Sequence, residues 1–105
     1  MEAKDTRALV EFSDAKMRKI PLFNSEGYFC DLYCLKPGQE QRIHSHPGSD
    51  KIYYVVEGRP LFHIAGEESE LGVGQTVIAR PNEDHGVRND SEDNVVLLVF
   101  MTPRP

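Results

Sequence analysis

The chain has 105 residues, with 12 Lys+Arg against 17 Asp+Glu, for a net charge of −5. That length fits one domain, expected over residues 1–105, and allows a core without metal or disulfide staples. The acidic balance excludes a general DNA or RNA binder, which needs a basic face, and the 39% apolar share excludes a disordered chain.

Residues 1–20 are mixed and polar and read as an N-terminal arm. Within it, Ala8–Phe12 reads as a short strand. Asp14 reads as the cap of a helical turn through Ala15, Lys16 and Met17, ended by Pro21. The charged Met1–Asp5 stretch has no apolar segment of the export kind, so a cytoplasmic protein is expected.

From Gly27 the pattern changes to short segments of period two, separated by Gly, Pro, Asn and Asp. Strands are predicted at Tyr28–Leu35, Gln41–His46, Lys51–Val56 and Leu61–Ile64. Further strands follow at Gln75–Ala79, His85–Arg88 and Val95–Met101, with a short one at Glu70-Leu71. The acidic stretch Glu67-Glu68-Ser69-Glu70 otherwise reads as a solvated loop. Val95–Met101 is continuously apolar, which predicts burial on both faces, in the core and against a second subunit. It is far too short to span a bilayer, which takes about 20 residues. Pro103-Arg104-Pro105 cannot extend a ladder and is expected to fray. Many short strands at this spacing predict an all-β barrel with its core over residues 28–101.

The two cysteines, Cys30 and Cys34, are four residues apart on one predicted strand, roughly 13 Å. A disulfide needs Cα atoms within about 7 Å, so they are expected as free, buried thiols.

The most informative residues are histidines. His44-Ser45-His46 places two imidazoles on one face of a strand, because side chains alternate. Two converging imidazoles can bind one transition metal, and the same alternation turns Ser45 away from both. The surrounding spacing is Gly38-x5-His44-x-His46-x4-Lys51-x6-Gly58, then Gly74-x10-His85-x3-Asn89. These spacings resemble the two motifs of the cupin superfamily. The resemblance implies an all-β, double-stranded β-helix (jelly-roll-like) barrel with its site at the mouth.

Carried over position by position, the resemblance makes His44, His46 and His85 metal ligands, and Asn89 a turn or support residue. Gly38, Gly58 and Gly74 become turn glycines with positive φ. Three imidazoles suit Fe, Mn, Ni, Co, Cu or Zn and leave positions open for water or substrate. The chain departs from the family pattern twice. Lys51 stands where the first motif has Glu, so the site has three His and no carboxylate. Lys51 is expected to point its tip elsewhere, to pair with Glu83 or Asp84, or to hold an anionic substrate. In the second motif Arg80 and Asn82 take the Pro and Gly places of a Pro-x-Gly turn. Asn tolerates the left-handed conformation best after Gly, so the turn survives.

Tyr53 shares parity with Lys51, as an interior hydroxyl at the site or a strand aromatic with its OH at the rim. Tyr54 has opposite parity and is expected against another sheet or a dimer mate. His63 has no spaced partner and reads as a satisfied or surface histidine. Nothing in the spacing singles out Gln41, Arg88 or Cys30. The functional expectation is a small-molecule metalloenzyme, dioxygenase- or isomerase-like, acting on a small and anionic ligand, with Lys51 or Tyr53 steering it. The alternative is a non-catalytic metal or small-ligand binding module. A homodimer is expected, with no nucleic-acid or membrane partner.

Overall fold

The computed structural model describes residues 1–105. Its strands are β1 (Arg18–Asn24), β2 (Phe29–Leu35), β3 (Glu40–His44), β4 (Asp50–Glu57) and β5 (Leu61–Ile64), followed by β6 (Glu67–Glu70), β7 (Thr76–Ala79), β8 (His85–Arg88) and β9 (Val95–Thr102). The only helix is α1 (Thr6–Leu9), whose N-terminus is capped by the Asp5 side chain. No helix is long and apolar enough to cross a membrane. The strands form two antiparallel sheets, one in the order β1-β2-β9-β4-β7 and one in the order β3-β8-β5-β6.

Alternation places Tyr33 and Leu35 of β2, Tyr53 and Val55 of β4, and Val95, Leu97 and Val99 of β9 on the inner face. There they pack with Phe62 and Val87 of the second sheet. The outer face of the first sheet carries a second cluster of Leu22, Leu32, Cys34 and Val96. Central β9 is therefore buried on both faces, as its apolar run predicts. Its outer cover includes this chain's own Leu9, Val10 and Phe12, which pack on that cluster.

The N-terminal stretch departs from expectation. Ala8–Phe12 is not a strand and Ala15–Met17 is not helical; Asp14 accepts from the Lys36 ammonium instead. Pro21 does not end a helix but lies inside β1. That is tolerated because β1 is an edge strand, where the missing N–H costs no ladder bond, and the register slips between Pro21 and Phe23. The acidic Glu67–Glu70 stretch is a strand and not a loop. Ala65 (φ 49) and Gly66 (φ 84) make a two-residue turn whose twist suits a hairpin, pairing Ile64 with Glu67. All four β6 residues are exposed at a sheet edge, where charge discourages further pairing. The tail is tied rather than frayed at Pro103, whose carbonyl accepts from the Ser49 hydroxyl at 2.6 Å. Both cysteines are free.

The turn glycines of the motifs have positive φ, and Gly58 is the most constrained. At φ 86, a Cβ there would lie 2.4 Å from the Asn94 carbonyl oxygen. Gly38 has a similar φ of 83 but open space around it. Gly38→Ala is therefore expected to cost about 1 kcal/mol for left-handed strain alone. Gly58→Ala is expected to cost at least about 2 kcal/mol more, since strand-end backbone must move. Urea unfolding of the two variants checks this; equal costs would show that the β4 exit yields freely.

Candidate metal centre

Three elements bring the histidines together. His44 is the last residue of β3, His46 follows in the loop to β4, and His85 opens β8. The predicted strand through His46 thus ends two residues early, yet both imidazoles still converge. His44 and His85 are cross-strand partners. Their ring centroids are 4.3 Å apart, with His46 at 4.9 Å from His44 and 5.4 Å from His85. One nitrogen from each ring lies within 4.8 Å of the others, a set that could hold one metal ion.

The orientation of two rings is set from behind. His44 Nδ1 lies 2.7 Å from the Arg42 carbonyl and His85 Nδ1 lies 2.9 Å from the Glu83 carbonyl. A carbonyl only accepts, so Nδ1 carries the proton and Nε2 keeps its lone pair. His85 is 2% exposed, and its Nε2 is buried with no hydrogen-bond partner. A buried acceptor without a donor is costly, and a cation among the three rings relieves that cost. Burial lowers the His85 pKa to about 4, despite the bond to Glu83; the charge of Lys51 and the neighbouring imidazoles lower it further. Burial likewise lowers His44 and His46. The rings are thus held in the neutral form that binds metals.

The altered turn before His85 joins the parts. Asn82 has φ 69, the left-handed conformation expected of it, and its N–H donates to the His46 carbonyl at 2.8 Å. Arg80 N–H is held by the Glu83 carboxylate at 2.7 Å, and Glu83 N–H by the Arg80 carbonyl at 3.0 Å. One four-residue turn therefore fixes the backbone of His46 and aims the ring of His85. Asn89 is fully buried and structural: its amide donates to the Leu35 and Asp93 carbonyls.

Lys51 corrects one expectation. It pairs with neither Glu83 nor Asp84. Its side chain is 2% exposed and runs inward, with Nζ donating to Gln41 Oε1 at 3.1 Å. The ammonium lies 5.2 Å from the Tyr33 ring and 5.3 Å from the Tyr53 ring, within cation–π reach of both. Burial pushes the amine down to about 7; Lys19 adds to the shift and Asp31 opposes it. Tyr53 is interior rather than at the rim. It is packed on Phe62, its hydroxyl lacks a partner, and burial raises its pKa well above the ordinary value. Burial also pushes Tyr33 up to about 12, against the opposing bond from Gln41.

Gln41 and Tyr33 belong to this polar interior, with the exposed Lys19 reaching the Tyr33 ring from outside, and spacing does not single them out. Gln41 and His44 differ by an odd count, so simple alternation puts them on opposite faces. A register shift between them restores both to the interior. Of the other candidates, His63 lies apart from the triad, 3.8 Å from the Glu68 carboxylate, and Arg88 is bonded to Asp90 and Glu68. No carboxylate joins the three histidines.

Comparison with known families matches residues 31–101 to the cupin domain. The chain belongs to the cupin family. This cupin is 46% identical to TT1209 of Thermus thermophilus, whose crystal structure superposes with a TM-score of 0.97 over 100% of both chains. It is 26% identical to an RmlC-like cupin of Desulfovibrio desulfuricans, with a TM-score of 0.86 over 98% of this chain and 97% of that one. Among curated proteins it is 28% identical over 67 residues to the oxalate-binding protein of Thermotoga maritima, covering 64% of this cupin and 55% of that protein. The chain spans about half the length of the first curated relatives it matches.

The buried amine makes a pH test. Lys51 titrates near 7 when folded and near 10.5 when unfolded, so between these values the unfolded chain binds more protons. Stability therefore rises with pH across that window, and the cost of an interior ammonium is felt in full below it. Lys51→Met keeps the aliphatic stem and lacks the charge. It is expected to be the more stable chain below pH 7, with its advantage shrinking towards pH 10.5. Urea unfolding across pH checks this, and a constant difference would contradict a charged interior Lys51.

Proposed function

We propose that this cupin binds one divalent transition metal through His44, His46 and His85 and presents it to a small anionic molecule as a metalloenzyme of the dioxygenase or isomerase type. The observation that carries the reading is the convergence of three neutral imidazoles, with the buried His85 Nε2 unpartnered. Such a metal, when bound, supplies Lewis acidity and a template for orienting the ligand. Its identity among Fe, Mn, Ni, Co, Cu and Zn is left open by an all-imidazole donor set.

The chain's own residues set the ligand's charge. With no carboxylate beside the histidines, and Lys51 and Lys19 raising the local potential, an anion is favoured over a cation. We assign Lys51 the role of electrostatic anchor, with the Gln41 amide and the Tyr33 and Tyr53 rings holding its position. The buried Tyr53 hydroxyl is the second candidate for steering a substrate. The name of the Thermotoga relative, an oxalate-binding protein, supports an acidic ligand and also a second reading, in which the site binds without turnover. The two unpaired thiols fit a reducing, cytoplasmic setting.

Metal analysis after purification without chelators is expected to find about one ion per chain, with a raised unfolding temperature relative to stripped protein. His44→Ala combined with His46→Ala is expected to abolish both effects. A folded parent chain that takes up no metal on titration would sink the reading. Oxygen uptake, or product analysis, with small acids then separates turnover from binding alone.

We also infer a homodimer through the outer face of β4, β9 and β7. Tyr54 and Phe100 remain 41% and 36% exposed there, and Ile52 lies in register with both Phe100 and Ile78. The N-terminal segment covers the β1–β2 side of that face. Sedimentation is expected to give the mass of two chains, falling to one in Tyr54→Arg with Phe100→Arg. A monomeric parent chain would contradict this.

A further inference from the structure

β1 and β3 are edge strands of the two sheets, and residues of both line one seam between them. A cavity of about 510 Å³ opens there, lined by Lys16, Arg18, Lys19 and Arg42 against a single carboxylate, Glu40. That volume falls in the range of small-molecule sites. Arg18 is held by Glu11 at 2.9 Å, whereas Lys16, Lys19 and Arg42 have no ion-pair partner. Their crowding is unexpected in a chain of net charge −5. The far edge of the second sheet, β6, carries Glu67, Glu68 and Glu70. There, however, Glu68 is paired with Arg88 and Glu70 with Arg59, whereas the seam cations Lys16, Lys19 and Arg42 face only Glu40 across the cavity, so the seam itself attracts anions.

The seam also reaches the interior. Gln41 lines the cavity and accepts the hydrogen bond from Lys51. Lys19 Nζ lies 5.5 Å from the ring of Tyr33, the ring that Lys51 also approaches. Residues 16–19, one cationic wall, precede the stretch matched to the cupin domain.

We propose that the β1–β3 seam is an anion-binding site in which Lys16, Lys19 and Arg42 take an acidic group of the ligand, carboxylate or phosphate, with Gln41 at the inner wall. The proposal rests on the reading of an acidic ligand above. It adds the place where that ligand docks and the residues that select it.

The test uses metal-free, isotope-labelled chain at low salt, titrated separately with inorganic phosphate and with succinate. Saturable amide shifts are expected at residues 16–19 and 40–42, weakening as salt is added. Lys19→Gln with Arg42→Gln, both at exposed positions, is expected to weaken binding by roughly tenfold while leaving the unfolding midpoint in place. Tighter binding of phosphate or of succinate would each support the site and name the preferred acidic group. No saturable shift, shifts centred on His44, His46 and His85, or binding unchanged in the double variant would overturn it. Metal titration of the parent chain is read separately. Failure to bind metal, with seam binding intact, counts against the metal reading alone. Metal binding without seam binding counts against the seam alone.

Discussion

Between Gln41 and His44 the β3–β8 ladder loses its even count, and the strands regain register at the His44–His85 pair. That irregularity lets two residues an odd number apart face the same interior. Without it, either His44 would turn to solvent or Gln41 would leave Lys51 without its hydrogen-bond acceptor. The turn at Arg80–Glu83 completes the arrangement from the other side. Asn82 accepts a left-handed backbone and ties down the His46 carbonyl, while the Glu83 carbonyl fixes the His85 tautomer. The triad therefore depends on backbone geometry more than on contacts between the rings.

The electrostatics of the site run against those of the chain. Seventeen acidic residues outnumber twelve basic ones, yet the interior beside the histidines holds Lys51, on which Lys19 and Asp31 act in opposite senses. A buried ammonium with one neutral hydrogen-bond partner carries a desolvation penalty. Two tyrosine rings offset part of it through their quadrupoles, and a lowered pKa offsets more. The same low-dielectric surroundings keep the imidazoles neutral. One physical cause, burial, thus holds the three imidazoles neutral and lowers the pKa of the Lys51 amine.

Much of this was legible in the residues because it rests on local rules. Period-two patterning located most of the strands from β2 to β9, the resemblance to the cupin motifs placed the turn at Gly58, and turn chemistry kept the one at Asn82. The N-terminal segment was not legible. Its apolar residues Leu9, Val10 and Phe12 have no strand or helix period to announce them, since they cover the outer face of a sheet built from distant residues. Pro21 reads locally as a breaker, and only the edge position of β1 makes it harmless. The acidic β6 fails the hydrophobic pattern because its side chains are exposed, and its pairing comes from the Ala65-Gly66 turn.

The sequence by itself determined the all-β class and most turn positions, which follow from spacing and composition, and paired His44 with His46 by the fixed alternation of a strand; His85 joined them through the resemblance to the cupin motifs. Only the tertiary structure decided what surrounds them. The inward course of Lys51, its partner Gln41, the two flanking tyrosines and the cationic β1–β3 seam all join residues from separate strands. Their positions depend on a register shift and on which sheet edges meet, and neither quantity is written in the spacing of any one segment.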